Sequence, residues 1–185
     1  MLAAGPLLTP DARISRAVVR TVPDSVTERL ADLGNVEVAV PVLLLAMAYA
    51  GRRSRRWWPA LAAGLAMALV PALIVPLKEW TARPGPLEPW ATGYFPSGHT
   101  ATSTVAYLGA ALLLAPHARR PWPMAVALLL AGATAVGLVL RGFHWPLDVL
   151  ASWLLCLPLL LGVGAVSRST RGSSSRTPNL RTGPS

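Results

Sequence analysis

The sequence predicts an all-α integral membrane protein, a helical bundle of about five transmembrane helices with an N-terminal amphipathic helix. Two observations support this fold class. Apolar residues make up 53% of the 185 residues and charged residues only 14%, a balance that soluble proteins of this size do not show. The apolar residues also form long runs, which are separated by short polar or arginine-rich segments.

The apolar runs define the predicted transmembrane segments. Four of them are long and uncharged enough to cross a bilayer or nearly so. A fifth run, which comes first in the chain, is weaker because Glu37 lies near its start. In chain order the five predicted spans are 33–50, 57–77, 100–115, 122–140 and 147–166.

The segment before the first span has no spanning run. Ser25 to Glu28 fits a capping box, and Val26 and Leu30 follow at helical spacing, so we expect an amphipathic helix on the outer membrane surface. The residues after Val166 are mostly Ser, Arg, Thr, Gly and Pro, a composition that favours disorder. The predicted domains are an amphipathic segment (1–32), a transmembrane domain (33–166) and a disordered basic cytoplasmic tail (167–185).

The formal net charge of +9 is distributed unevenly along the chain. If the chain changes sides at each span, ten basic and no acidic residues lie on one side, and seven basic and eight acidic residues lie on the other. This asymmetry is the positive-inside pattern, which places the arginine-rich loops in the cytoplasm. The basic charge therefore indicates membrane orientation and gives no reason to expect nucleic acid as a partner.

Ionisable residues collect at the extracytoplasmic ends of the predicted spans. They follow the second span, precede the third span and occupy the turn between the fourth and fifth. The ionisable residues are Lys78, Arg83, His99, Arg141, His144 and Asp148, and Ser97 and Gly98 directly precede His99. Because ionisable side chains at membrane depth are costly, they are functional candidates.

The residue types in this set suit phosphate chemistry. Ser97 and Gly98 stand at a helix start, where free backbone N–H groups attract anions. His144 and Asp148 are four residues apart on the chain, so the carboxylate can accept one imidazole N–H and leave the other nitrogen free to attack. His99 could then give a proton to the departing oxygen.

Lys78, Arg83 and Arg141 would neutralise the charge of a transferring phosphoryl group. A metal site built from the two histidines and the aspartate is disfavoured by these cations, and the single Cys156 lies within an apolar run. No metal and no cofactor are therefore expected. Taken singly, each polar residue also fits a helix cap or an interfacial anchor; their joint arrangement favours the phosphate site.

The order of lysine and arginine, then Pro-Ser-Gly-His, then arginine, histidine and aspartate resembles the type 2 phosphatidic acid phosphatase superfamily, over roughly residues 78–153. The resemblance implies metal-independent hydrolysis of a lipid phosphate or lipid diphosphate at the extracytoplasmic face of the cell membrane, a diphosphorylated polyprenol being the first choice. It implies a phosphohistidine on His144, with Asp148 as its partner and His99 as the acid. The substrate-binding residues that it implies are Lys78, Arg83, Ser97, Gly98 and Arg141.

The chain departs from the usual family pattern at two arginine positions. Gly85 and Leu138 stand where the family usually has arginine, and the nearest arginines are Arg83 and Arg141. Because residues 138 and 141 share a helix face, Arg141 could reach the same phosphate. These departures leave two other hypotheses open, a catalytically silent relative that binds a lipid phosphate and a structural membrane protein.

Overall fold

A computed structural model describes residues 7–172 of the chain. Within that range the chain forms seven α-helices and one short 3-10 helix, and it contains no strand. The helices are α1 (Leu8–Val18), α2 (Asp24–Asp32), α3 (Val36–Ser54), α4 (Trp58–Thr81), α5 (Gly98–Leu114), α6 (Trp122–Arg141) and α7 (Pro146–Gly172), and the 3-10 turn Ala115–His117 follows α5. The predicted all-α membrane fold is confirmed.

Four helical stretches of the described range are long and apolar enough to cross a membrane. They are Asp24–Ser54, which joins α2 and α3, then Trp58–Thr81, Trp122–Arg141 and Pro146–Ser169. The third predicted span, 100–115, corresponds to α5, which has 17 residues. The connections between α3 and α7 are short except for residues 82–97, which join α4 to α5. Hydrogen bonds tie the end of α4 to that loop and the start of α5 to the start of α7, so the predicted functional segments share one end of the bundle.

The centre of the bundle is α5. Twelve of its 17 residues are buried, and it packs against α3, α4, α6 and α7. Its side chains are mostly small, which lets four neighbouring helices approach it closely. The hydroxyl of Tyr107 donates a hydrogen bond to the carbonyl oxygen of Leu33, 2.6 Å away, and so ties α5 to the segment before α3. A helix enclosed in this way can hold its first residues in fixed positions.

The N-terminal region differs from its prediction. It forms two short helices instead of one, and α2 begins at Asp24, directly after Pro23. The predicted capping box at Ser25 to Glu28 is wrong, because Ser25 already lies inside the helix and the N-cap residue has no side-chain hydrogen bond. At the other end, α7 continues beyond the predicted span to Gly172, and the remainder of the predicted tail lies outside the described residues.

A close contact with α6 fixes the position of α2. A Cβ atom added at Gly137 would lie 2.6 Å from the Leu30 Cβ and 2.7 Å from the Ala31 backbone nitrogen. Only a residue without a side chain permits this approach, because the neighbours include backbone atoms. Gly137 therefore allows the N-terminal region to pack directly on the bundle.

We expect Gly137→Ala to destabilise the protein, because the added methyl group forces α2 away from α6. Overpacking of this kind costs roughly 1–3 kcal/mol. Thermal unfolding in detergent, compared with wild type, measures the effect. Gly132→Ala is the matched control, since nothing lies within 4 Å of its added Cβ and alanine favours a helix. An equal change in unfolding temperature in the two variants would contradict the close contact at Gly137.

Candidate active site

The predicted functional residues meet at one end of the bundle, around the start of α5. The incoming loop is tied to α4 by the Thr81 hydroxyl, which donates to the Phe95 carbonyl oxygen at 2.9 Å. The start of α5 is tied to α7 by the Ser97 N–H, which donates to the Asp148 carbonyl oxygen at 3.2 Å. The Ser152 hydroxyl reaches carbonyl oxygens of both helix starts. The three polar segments therefore form one rigid cluster.

His144 and Asp148 adopt the predicted pairing. The Nδ1 atom of His144 lies 3.3 Å from the Asp148 Oδ2 atom, and the Trp145 N–H donates to the same oxygen at 3.0 Å. Asp148 is fully buried and His144 is 6% exposed. Because a carboxylate accepts hydrogen bonds, it stabilises the neutral tautomer with the proton on Nδ1 and the lone pair on Nε2.

Arg83 lies between two carboxylates. One guanidinium nitrogen donates to the Asp148 Oδ1 atom at 2.6 Å, and the other pairs with Asp11 of α1. The guanidinium also stacks on Trp145, whose indole N–H donates to the Pro84 carbonyl oxygen at 2.8 Å. Arg83 therefore contacts the catalytic aspartate candidate, and its predicted contact with phosphate remains a prediction.

His99 is held by a residue that the motif analysis does not single out. Its Nε2 atom lies 2.9 Å from the Oδ1 atom of Asn35, and the Asn35 amide nitrogen donates to Asp32 at 3.0 Å. The bond to Asp32 fixes the direction of the Asn35 amide, so its oxygen faces His99. Because that oxygen only accepts, the Nε2 atom of His99 carries a proton in this arrangement.

Both histidines line the same cavity of about 540 Å³ at this end of the bundle. Leu138 and Arg141 of α6 and Tyr94 of the loop also line it. Tyr94 contacts the His144 ring edge-on, with 5.8 Å between ring centroids. Its hydrogen bond to Glu88 and partial burial raise the pKa of the Tyr94 hydroxyl to about 12, so the group stays protonated near neutral pH.

Arg141 contributes positive charge to the cavity. One of its terminal nitrogens pairs with Asp24 of α2 at 2.9 Å, and the guanidinium lies over the Phe143 ring. Its Nε atom is buried and has no hydrogen-bond partner among residues 7–172. A buried N–H of this kind favours an anionic acceptor.

Ser97 and Gly98 begin α5 as predicted. The Ser97 hydroxyl is the N-cap acceptor of the Thr100 N–H, at 3.3 Å, and it is fully buried. Since the Ser97 N–H also donates to the Asp148 carbonyl oxygen, the hydroxyl and the N–H of Ser97 both have partners within the protein. The predicted contact of Ser97 with phosphate would therefore have to replace one of these hydrogen bonds. The Gly98 N–H heads the helix, where an N–H lacks an acceptor within the helix.

Lys78 lines a second, apolar cavity of about 580 Å³ between α3 and α4. Gly98 and Thr102 of α5 line the same space, and the other lining residues are almost all apolar. Lys78 is also within electrostatic range of Asp148 and His99. The amine therefore stands between the phosphate-site candidates and an apolar groove on the side of the bundle.

The two departures from the family pattern have structural counterparts. A Cβ atom added at Gly85 would lie 2.5 Å from the Tyr94 ring, so Tyr94 occupies the space that a side chain at residue 85 would need. Leu138 is 1% exposed and Arg141, one turn later, lines the cavity. The prediction that Arg141 reaches the same space from the next turn agrees with this placement.

Within residues 7–172 no group of three or more His, Cys, Asp or Glu side chains is placed to hold a metal ion. Sequence reasoning missed Asp11, Asp24, Asp32 and Asn35, all of which lie before the first strong apolar run. No local pattern marks Asp11, Asp24 and Asn35, because their partners Arg83, Arg141 and His99 are far along the chain.

Comparisons with known proteins agree with this fold. A family model described as the PAP2 superfamily matches residues 59–169, which is more than half of the chain. The fold is similar to that of the first transmembrane PAP2 type phosphatidylglycerolphosphate phosphatase from Bacillus subtilis, with a TM-score of 0.75, 22% identity, and coverage of 95% of this chain and 90% of that one.

Aquifex aeolicus LpxE is also similar, with a TM-score of 0.66, 23% identity, and coverage of 91% of this chain and 99% of that one. At these identities the two structures establish the fold alone. A search of curated proteins finds no match. The family match confirms the resemblance seen in the motifs, and the chain is a multi-pass membrane protein of the PAP2 superfamily.

Proposed function

We propose that the protein hydrolyses a lipid phosphate or polyprenyl diphosphate at the extracytoplasmic face of the membrane, through a phosphohistidine on His144. The observation that carries this proposal is that His144 and His99 line one cavity while Asp148 holds the Nδ1 atom of His144. A nucleophile oriented by a buried carboxylate, opposite a second histidine, suits double displacement.

In the first step, the His144 Nε2 atom attacks phosphorus and the bond from phosphorus to the leaving oxygen breaks. His99, protonated on both ring nitrogens, gives its Nε2 proton to that oxygen and becomes neutral, exchanging its hydrogen bond with Asn35 for one with the leaving group. In the second step, water attacks phosphorus, the bond from phosphorus to the His144 Nε2 atom breaks, and the water gives a proton to the His99 Nε2 atom. Inorganic phosphate leaves and both histidines return to their starting states.

Positive charge around the cavity would stabilise the transferring group. The candidate donors to phosphate oxygens are the Arg141 Nε–H, the Gly98 N–H and the Lys78 amine. Arg83 acts one step away, because it donates to Asp148. No step requires a metal ion, so activity is expected to persist in chelator.

The apolar groove between α3 and α4 supports a lipid substrate. It places apolar side chains beside Lys78 and Gly98, so an apolar chain could lie against the bundle while its headgroup reaches the histidines. Our first choice of substrate is a diphosphorylated polyprenol, which follows from the family resemblance. Phosphatidylglycerol phosphate is the second candidate, because the Bacillus subtilis neighbour with a TM-score of 0.75 is named for that activity.

Purified protein in detergent with chelator, given a panel of lipid phosphates, tests the proposal. The panel contains a short polyprenyl diphosphate, phosphatidylglycerol phosphate and phosphatidic acid, and released phosphate is measured. Release that depends on His144 supports the enzyme. Lipid binding without release would instead support a catalytically silent relative. That alternative is considered because Gly85 and Leu138 stand where the family usually has arginine. Neither binding nor release would favour a structural protein.

The orientation of the site has its own test. Thr92 in the loop after α4 and Ser54 at the end of α3 are both exposed, and both are close in size to cysteine. Because the arginine-rich ends are expected in the cytoplasm, we expect Thr92→Cys to react with an impermeant thiol reagent in intact cells and Ser54→Cys to react only after lysis. The buried Cys156 provides a low background. The opposite labelling pattern would place the site in the cytoplasm.

A further inference from the structure

Asp11 is a buried carboxylate that the proposed mechanism does not use. It belongs to α1, its side chain is 2% exposed, and it lies 72 residues before its partner Arg83. Burying a carboxylate is costly unless it is paired and hydrogen-bonded. Asp11 has a charged partner in Arg83, and its second oxygen accepts a hydrogen bond from the Leu147 N–H of α7 at 2.9 Å.

The contacts of Asp11 lead directly to His144. Asp11 binds one side of the Arg83 guanidinium, and Asp148 binds the other side at 2.6 Å. The other oxygen of Asp148, which also accepts the Trp145 N–H, lies 3.3 Å from the Nδ1 atom of His144. A planar guanidinium held by two carboxylates and stacked on Trp145 cannot rotate without breaking a charged hydrogen bond.

We infer that Asp11 is a positioning residue, which fixes Arg83 so that Asp148 orients His144 for attack. This inference builds on the proposed function, because it assigns a further residue to the same site. Removal of the Asp11 charge releases one side of Arg83 and lets the Asp148 carboxylate turn away from Nδ1. It also removes negative charge near His144, and both effects make the Nε2 atom less nucleophilic.

The reactivity of His144 toward diethyl pyrocarbonate, measured by mass spectrometry on the full-length protein, tests the inference without a substrate. Asp11→Asn keeps an oxygen for the Leu147 N–H and removes the charge. We expect it to slow modification of His144 on the order of tenfold, the loss typical of a slightly misplaced reacting group. His117, at the opposite end of the bundle, is the internal reference and Glu28→Gln, an exposed carboxylate of α2, is the charge-matched control.

Action through Arg83 is tested with the double variant. Arg83→Gln is expected to slow modification as well, and adding Asp11→Asn to it should slow the reaction no further. A wild-type rate of His144 modification in Asp11→Asn would overturn the inference. So would an equal slowing by Asp11→Asn in the wild-type protein and in Arg83→Gln. If Asp11→Asn does not fold, Arg83→Lys decides, because lysine keeps the charge but lacks the planar fork that holds two carboxylates. A wild-type rate in that variant rejects the inference.

Where the wild type releases phosphate, Asp11→Asn should lower kcat by the same factor and leave KM within about twofold, since binding groups are untouched. A purely structural role would instead lower the unfolding temperature and leave the rate of the folded fraction unchanged. Failure of all lipid phosphates as substrates would contradict the proposed function alone, because the modification experiment needs none of them.

Discussion

His144→Ala is expected to abolish phosphate release, with a loss of at least about 10⁴-fold in kcat, because it removes the imidazole that Asp148 orients for attack. Released phosphate is measured with the lipid substrate that gives the highest wild-type rate. The effect is expected in kcat, since the imidazole contributes chiefly to the transition state. Denaturation in alkali, in which a phosphohistidine is stable, during turnover of ³²P-labelled substrate should leave label on the wild type and not on the variant.

The control for this variant is His117→Ala, which removes the histidine at the opposite end of the bundle. Its activity should equal that of the wild type. Release by His144→Ala within tenfold of the wild-type rate would contradict the proposed nucleophile, and labelling of the protein in that variant would point to another residue.

His99→Ala is expected to lower the rate with a lipid phosphate by roughly 10²–10⁴-fold, the usual contribution of a positioned general acid. The loss should depend on the leaving group. An alkoxide needs the proton from His99, whereas a nitrophenolate leaves without one. The comparison of a lipid phosphate with an aryl phosphate in both proteins therefore separates acid catalysis from other roles.

An equal loss with both substrates would contradict the acid role and would favour a function of His99 in binding. Thermal unfolding of the same variant supplies the control for folding. His99 is exposed to the cavity, so its truncation is expected to change the unfolding temperature little.

The sequence predicts much of the fold because lipid leaves few alternatives. Long apolar runs must form helices that satisfy their own backbone hydrogen bonds, so α3, α4, α6 and α7 follow from composition and length. The pairing of His144 with Asp148 is equally predictable, since His144 lies two residues before the start of α7 and Asp148 lies in the first turn of that helix. Such local geometry needs no knowledge of the rest of the chain.

The N-terminal contributions could not be predicted in the same way. Asp11 meets Arg83 across 72 residues and Asn35 meets His99 across 64, and neither contact leaves a local pattern. Both depend on how α1 and the start of α3 pack against the bundle. Residues 7–32 supply the carboxylates of Asp11 and Asp24 to this end of the bundle, and Asn35, the N-cap residue of α3, supplies the amide beside His99.

The packing of Tyr94 against Gly85 also constrains how this chain could change over evolutionary time. The ring lies where a Cβ atom at residue 85 would stand, so any larger residue there requires the Tyr94 side chain to move. Because residues in contact respond to substitution together, the effect of a change at residue 85 is expected to depend on the residue at position 94. The two sites are thus epistatically linked.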